Sequence, residues 1–94
     1  MITITVTISD ADELALKNDL VDINDWAQKA VIGKVNNCKS RMCRTDGVWV
    51  QKLFADPTVT SIPADQEALI DLITKRPDYK NRVQRDAEVN LLSI

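Results

Sequence analysis

The chain contains no histidine. It therefore lacks the side chain whose charge ordinarily changes between about pH 5 and 8, the usual general base and a frequent metal ligand. Glycine occurs only as the isolated Gly33 and Gly47, which excludes a glycine-rich phosphate loop. Cys38 and Cys43 are the only cysteines, too few for a zinc site unless carboxylates or a second copy supply the other ligands. On a helix, positions five apart point about 140° from each other, so a strain-free disulfide between them is disfavoured. They read as reduced, partly buried thiols. No apolar run approaches the roughly 18 residues of a membrane span. Met1 is followed by a threonine-alternating segment rather than by the basic and then apolar stretch of a secretory signal. The expectation is no membrane partner, no export and a cytosolic location.

What is present is globular in character. Of the 94 residues, 45% are hydrophobic and 28% charged, too apolar for a disordered chain. The length predicts a single domain, residues 1–94. The net charge of −2 argues against coating nucleic acid by bulk charge. Its distribution is uneven: residues 10–25 hold Asp10, Asp12, Glu13, Asp19, Asp22 and Asp25 against Lys17 alone, and residues 34–44 hold Lys34, Lys39, Arg41 and Arg44 with no acid.

Residues 2–8, ITITVTI, alternate strictly, with Ile2, Ile4, Val6 and Ile8 on one face and Thr3, Thr5 and Thr7 on the other. That period of two predicts a half-buried strand. Ser9 follows as an N-cap, with Asp12 in the position of a capping box. From Leu20 the apolar positions run Leu20, Ile23, Ala27, Val31, Val35, Cys38 and Met42, a helical stripe averaging about 3.67 residues per step. Acids at its start and bases at its end complement the macrodipole. Unbroken, residues 10–44 would span about 52 Å, against a diameter of roughly 32 Å for a compact domain of this size. A kink near Asn24 is therefore predicted, where Asp22 to Asp25 offer a re-capping point, with the second segment the longer.

Thr45-Asp46-Gly47 reads as a turn that interrupts the helical pattern, which resumes in phase at Trp49 and Leu53. Asp56-Pro57 ends whatever helix precedes it. PTVTSIP, with Val59, Thr60 and Ile62, is the second strand candidate and the partner within the chain that ITITVTI needs. Asp65 caps a helix over QEALIDLITK, closed by Pro77, and DYKNRVQRDAEVNLL reads as a weak last helix with a fraying tail. The predicted fold is mainly α with a small β element: an N-terminal strand, a long kinked helix and two shorter C-terminal helices.

No constellation for catalysis emerges. Asp22 with Asp25, and Asp12 and Glu13 with Lys17, are ordinary pairings of a solvated helix face, and neither cysteine has a histidine to activate it. No catalytic, cofactor-binding or metal residue is predicted, and no cofactor. The candidate partner interface comprises Ile2, Ile4, Val6, Trp26 and Trp49, an edge-prone strand and two tryptophans in hydrophobic settings. A second candidate is nucleic-acid contact through Lys34, Arg41 and Arg44, which fall near one helical face. Lys75, Arg76, Lys80, Arg82 and Arg85 form another basic cluster.

Residues 55–82, ADPTVTSIPADQEALIDLITKRPDYKNR, resemble a block found in small uncharacterised proteins of tailed bacteriophages and prophages. Residues 19–42, DLVDINDWAQKAVIGKVNNCKSRM, resemble the helical part of the same group. RTDGVWVQK, residues 44–52, departs from the continuous helix of that pattern. The resemblance covers most of the chain, carries no active site, and implies a phage-encoded accessory protein of the host cytoplasm, with incorporation into the virion as a further option. The expected function is non-enzymatic: virion assembly or an accessory role through self-association or contact with a phage structural protein. The alternative is a small regulator that binds DNA or a host protein through a basic helical face.

Overall fold

The computed structural model describes residues 1–92, with side chains described through Asn90. Five helices account for its regular structure: α1 (Asp10–Asp19), α2 (Ile23–Met42), α3 (Val48–Ala55), α4 (Gln66–Thr74) and α5 (Arg82–Leu92). The chain divides into two compact units, Met1–Asn36 and Asn37–Ile94, with the boundary inside α2.

The helices start where local side chains satisfy their free backbone donors. Ser9 Oγ accepts from the Asp12 N–H at 3.1 Å at the head of α1. The predicted kink is a full break over residues 20–22, after which Asp22 Oδ1 accepts from the Asp25 N–H at 3.0 Å and re-starts the helix. The second segment is the longer, 20 residues against 10. The interruption at Thr45-Asp46-Gly47 is present as a turn closed by Gly47 N–H to Arg44 O at 3.0 Å. A Cβ at Gly47 would stand 3.1 Å from that same carbonyl oxygen, so the turn is tight enough to favour glycine. Asp65 Oδ2 caps α4 through the Ala68 N–H at 2.9 Å, as the sequence predicts. Three short helices, rather than two, follow the long one.

The last helix is better founded than its hydrophobic pattern suggests. Asn81 and Gln84 form a reciprocal capping box, each side-chain oxygen accepting from the other's backbone N–H at 2.9 Å. The Arg82–Asp86 pair, 3.0 Å across one turn, and the Lys80–Glu88 contact support it further. The expected fraying beyond it lies outside the described residues.

The small β element is the expectation that fails: no described residue lies in a strand. At PTVTSIP the reason is local. Asp56 Oδ1 accepts from both the N–H and the hydroxyl of Thr58, at 2.9 and 2.7 Å, and Asp56 O accepts from the Val59 N–H at 3.2 Å. A turn thus consumes donors that a ladder would need. ITITVTI then has no ladder partner among the described residues, and its side chains stay exposed, Ile2 at 84%. A strand is a property of a pair, and alternation in one segment supplies only half of it.

The buried core belongs to the second unit. Val50 and Leu53 of α3 meet Leu69 and Ile73 of α4, with Ile73 fully excluded from solvent. The i,i+3 and i,i+4 spacings put each pair on one helix face. Met42, Trp49, Val59, Ile62, Leu72 and Tyr79 pack around this cluster half-buried. The first unit contains no buried residue; Leu16, Leu20 and Ile23 are its half-covered apolar side chains.

Candidate functional site

Two grooves, one in each unit, gather the residues that sequence patterning singles out. In the first unit, Ile2, Ile4 and Val6 line a groove of about 640 Å³ together with Ala27, Val31 and Ile32 of α2. The two walls have different origins. The extended segment presents alternate residues to one side, and α2 presents Ala27 and Val31 of its stripe with the neighbouring Ile32. Ile2, Ile4, Val6, Val31 and Ile32 remain exposed although they face this common concavity. Leu14, Val21 and Val35 add further uncovered apolar surface to the same unit.

In the second unit, Arg41 and Met42 at the end of α2 line a groove of about 330 Å³ with Trp49, Tyr79, Lys80 and Arg85. The rings of Trp49 and Tyr79 stand 5.3 Å apart, tilted by 58°, an edge-oriented geometry favoured by the ring quadrupoles. The Lys52 ammonium lies 4.7 Å from the Trp49 ring centroid and also meets Asp78 Oδ2 at 3.2 Å.

The charges around this groove are unevenly satisfied. Seven of the nine basic residues of the second unit face an acid: Lys39 with Glu67, Arg44 with Asp46, Lys52 with Asp78, Lys75 with Asp71, Arg76 with Asp56 and Asp78, Lys80 with Glu88, and Arg82 with Asp86. Among the described residues, Arg41 and Arg85 have no ion pair or hydrogen bond from their side chains, and both line the groove.

Arg76 organises the side of the unit away from regular structure. It donates to Asp56 Oδ2 at 3.0 Å and to Asp78 Oδ1 at 2.9 Å. The guanidinium and, to a smaller extent, Lys52 hold the Asp78 carboxyl below the usual carboxylate range. Thr58, through its hydroxyl and then its N–H, does the same for Asp56, with Arg76 adding to it. Arg44 lowers Asp46 through a two-point contact at 3.1 and 3.0 Å. Burial pushes the Cys43 thiol up, against the opposing charge of Lys39. These are structural roles: the charged groups are locked to each other.

The predicted interface residues therefore separate. Ile2, Ile4 and Val6 come together on one groove; Trp26, half exposed on α2, does not line it. Trp49 belongs to the second unit and packs on its core. Of the predicted nucleic-acid residues, Lys34 lies in the first unit, Arg44 is taken up by Asp46, and Arg41 alone lines a groove. Tyr79, Lys80 and Arg85 are the residues that sequence reasoning left outside its site. The signal was the second basic cluster, which nothing local in the sequence ties to Arg41.

Both cysteines are free thiols, Cys38 exposed and Cys43 half-buried. Among the described residues no group of three potential ligands is placed to hold a metal ion. No described helix is long and apolar enough to cross a membrane. No family model, curated protein or solved structure matches the chain.

Proposed function

We propose that this chain is a non-enzymatic assembly protein whose first unit docks against a second copy of itself. The observation that carries the reading is the extended segment 2–8, which lacks a ladder partner among the described residues while Ile2, Ile4 and Val6 line an apolar groove on α2. Unpaired extended backbone is a template for another strand.

A second copy fits that template better than an arbitrary partner, because the segment is symmetric about Thr5. Antiparallel pairing of two copies centred there sets Ile2 against Ile8, Thr3 against Thr7 and Ile4 against Val6. Every cross-strand pair is then apolar with apolar or threonine with threonine, the combinations that stabilise a sheet. A two-fold axis requires this kind of self-complementarity. Charge agrees with it: antiparallel approach of α2 about Gln28, itself on the groove, brings Lys34 of one copy toward Asp22 of the other. Lys34 has no ion pair among the described residues. The implied phage-encoded accessory role is compatible with such an assembly unit.

Light scattering coupled to size-exclusion chromatography tests the reading. The full chain is expected to run as a dimer or larger species at micromolar concentration. Thr5→Pro, which sets a proline ring at the centre of the proposed ladder, and Ile4→Asp, which charges the groove, are expected to give monomers. A monomeric full chain at about 100 μM, well above the micromolar range of a modest interface, overturns the proposal, as does a dimer untouched by both variants.

A further inference from the structure

The second unit pairs its charges almost completely, so the exceptions are informative. Arg41 and Arg85 are 44 positions apart in sequence, yet both line one groove together with Trp49 and Tyr79. Lys80, on the same groove, is held by Glu88. Each remaining basic residue of the unit faces an acid, Lys52 and Arg76 sharing Asp78. Two guanidiniums that line one groove, with no carboxylate among its lining residues, raise the local positive potential. The arrangement is relieved by an anion, and a guanidinium's fork of donors suits the oxygens of a phosphate.

The aromatic part of the lining narrows the ligand further. A site for a bare inorganic anion has no use for ring surface, whereas Trp49 and Tyr79 offer a tilted aromatic pair 5.3 Å apart beside the cations. Aromatic rings next to arginines are the elements that hold unstacked bases by their faces and the linking phosphates by charge. The volume of about 330 Å³ lies at the small end of ligand sites, about 300–1,000 Å³. It accommodates one nucleotide and not a duplex. We infer that the groove of Arg41, Trp49, Tyr79, Lys80 and Arg85 is a binding site for a single nucleotide unit, its base on the aromatic pair and its phosphate between Arg41 and Arg85. The unit comes from a single-stranded nucleic acid or from a free nucleotide. This site shares no residue with the proposed self-association surface and does not depend on that reading.

The overall negative charge of the chain sets a condition on the test. With a net charge of −2, long-range attraction is weak, so binding is to be measured at low salt, where contacts to phosphate are strongest. A fluorescein-labelled twelve-residue oligothymidylate is titrated with the full chain and followed by anisotropy. Thymidine monophosphate, inorganic phosphate, duplex DNA and polyglutamate serve as competitors. The comparison protein is Arg41→Gln/Arg85→Gln, whose exposed positions lie outside the core, with its fold checked by circular dichroism. In a Trp26→Phe background, the emission of Trp49 reports ring contact directly.

The expected result is saturable binding of the oligonucleotide that weakens at least tenfold in the double variant, accompanied by quenching of Trp49. Loss of phosphate contacts on a single strand lowers the salt slope by about 0.7 per contact. Competition by the mononucleotide at equal concentration of nucleotide units identifies the free nucleotide as the source, and competition only by oligonucleotide identifies the strand; either supports the site. Four outcomes overturn it: no binding at low salt, binding unchanged in the folded double variant, preference for duplex, or equal competition by phosphate or polyglutamate without quenching of Trp49.

Discussion

Arg76 reaches Asp56 across 20 positions of sequence at 3.0 Å, while its other nitrogens hold Asp78 two residues away. One guanidinium thereby ties the turn that follows α3 to the loop that follows α4, the two irregular segments flanking the core helices. The side chain is mostly covered, so the contact is screened less than those on the open surface.

The first prediction concerns that bridge. Arg76→Gln is expected to lower the thermal midpoint more than Asp46→Asn does. The Arg44–Asp46 pair is exposed and joins residues two apart, whereas Arg76 spans two segments, and its loss leaves Asp56 without a cation and Asp78 with Lys52 alone. Differential scanning calorimetry of the two variants reads the order; the reverse order would discount the bridge.

Acid should weaken the second unit in a defined direction. Asp46, Asp56 and Asp78 are all held below the ordinary aspartate value, so the unfolded chain binds protons first as pH falls. Their stabilisation is complete above the unfolded value of about 3.9. It is lost as pH drops through the lower folded values. The thermal midpoint is expected to stay level from neutral pH to about 5 and to fall below about 4, in line with the ordinary aspartate value. Asp56→Asn/Asp78→Asn should flatten the fall.

The core makes a sharper contrast. Ile73→Ala removes a fully buried side chain between α3 and α4 and is expected to cost about 2–5 kcal/mol in denaturant unfolding. Phe54→Ala, on the exposed side of the same α3, should change stability by no more than about 0.5 kcal/mol. Equal costs would mean that the core lies elsewhere.

The cysteines should react at different rates. Cys38 is exposed, while Cys43 is half-buried against the core, with its thiol raised by burial and directed toward Gln66 O at 3.9 Å. Timed alkylation followed by mass spectrometry is expected to modify Cys38 first by a wide margin, because the thiolate is the reacting species. Simultaneous modification would show that the turn after α2 and the start of α4 part readily at this point.

The helices were legible because the signals that start and stop them are local. Ser9, Asp22 and Asp65 each bond an N–H three residues on, and the acid-to-base run reads directly from the chain. The Asn81-x-x-Gln84 box was equally local and was overlooked in favour of the weak apolar pattern around it. The interruption at Gly47 was legible for the same reason, since a four-residue turn closes on itself.

The amino-acid sequence by itself thus determined where helices begin, break and end, together with the absence of histidine chemistry, because those properties depend on residues a few positions apart. Tertiary structure decided which apolar residues become core: Val50, Leu53, Leu69 and Ile73 are excluded from water, and the equally hydrophobic Ile2, Ile4 and Val31 are not. It also decided that neither strand candidate enters a ladder, and that Arg41 and Arg85 share one groove. Each of these outcomes depends on a partner distant in the chain, and a pattern within one segment carries no information about whether that partner arrives.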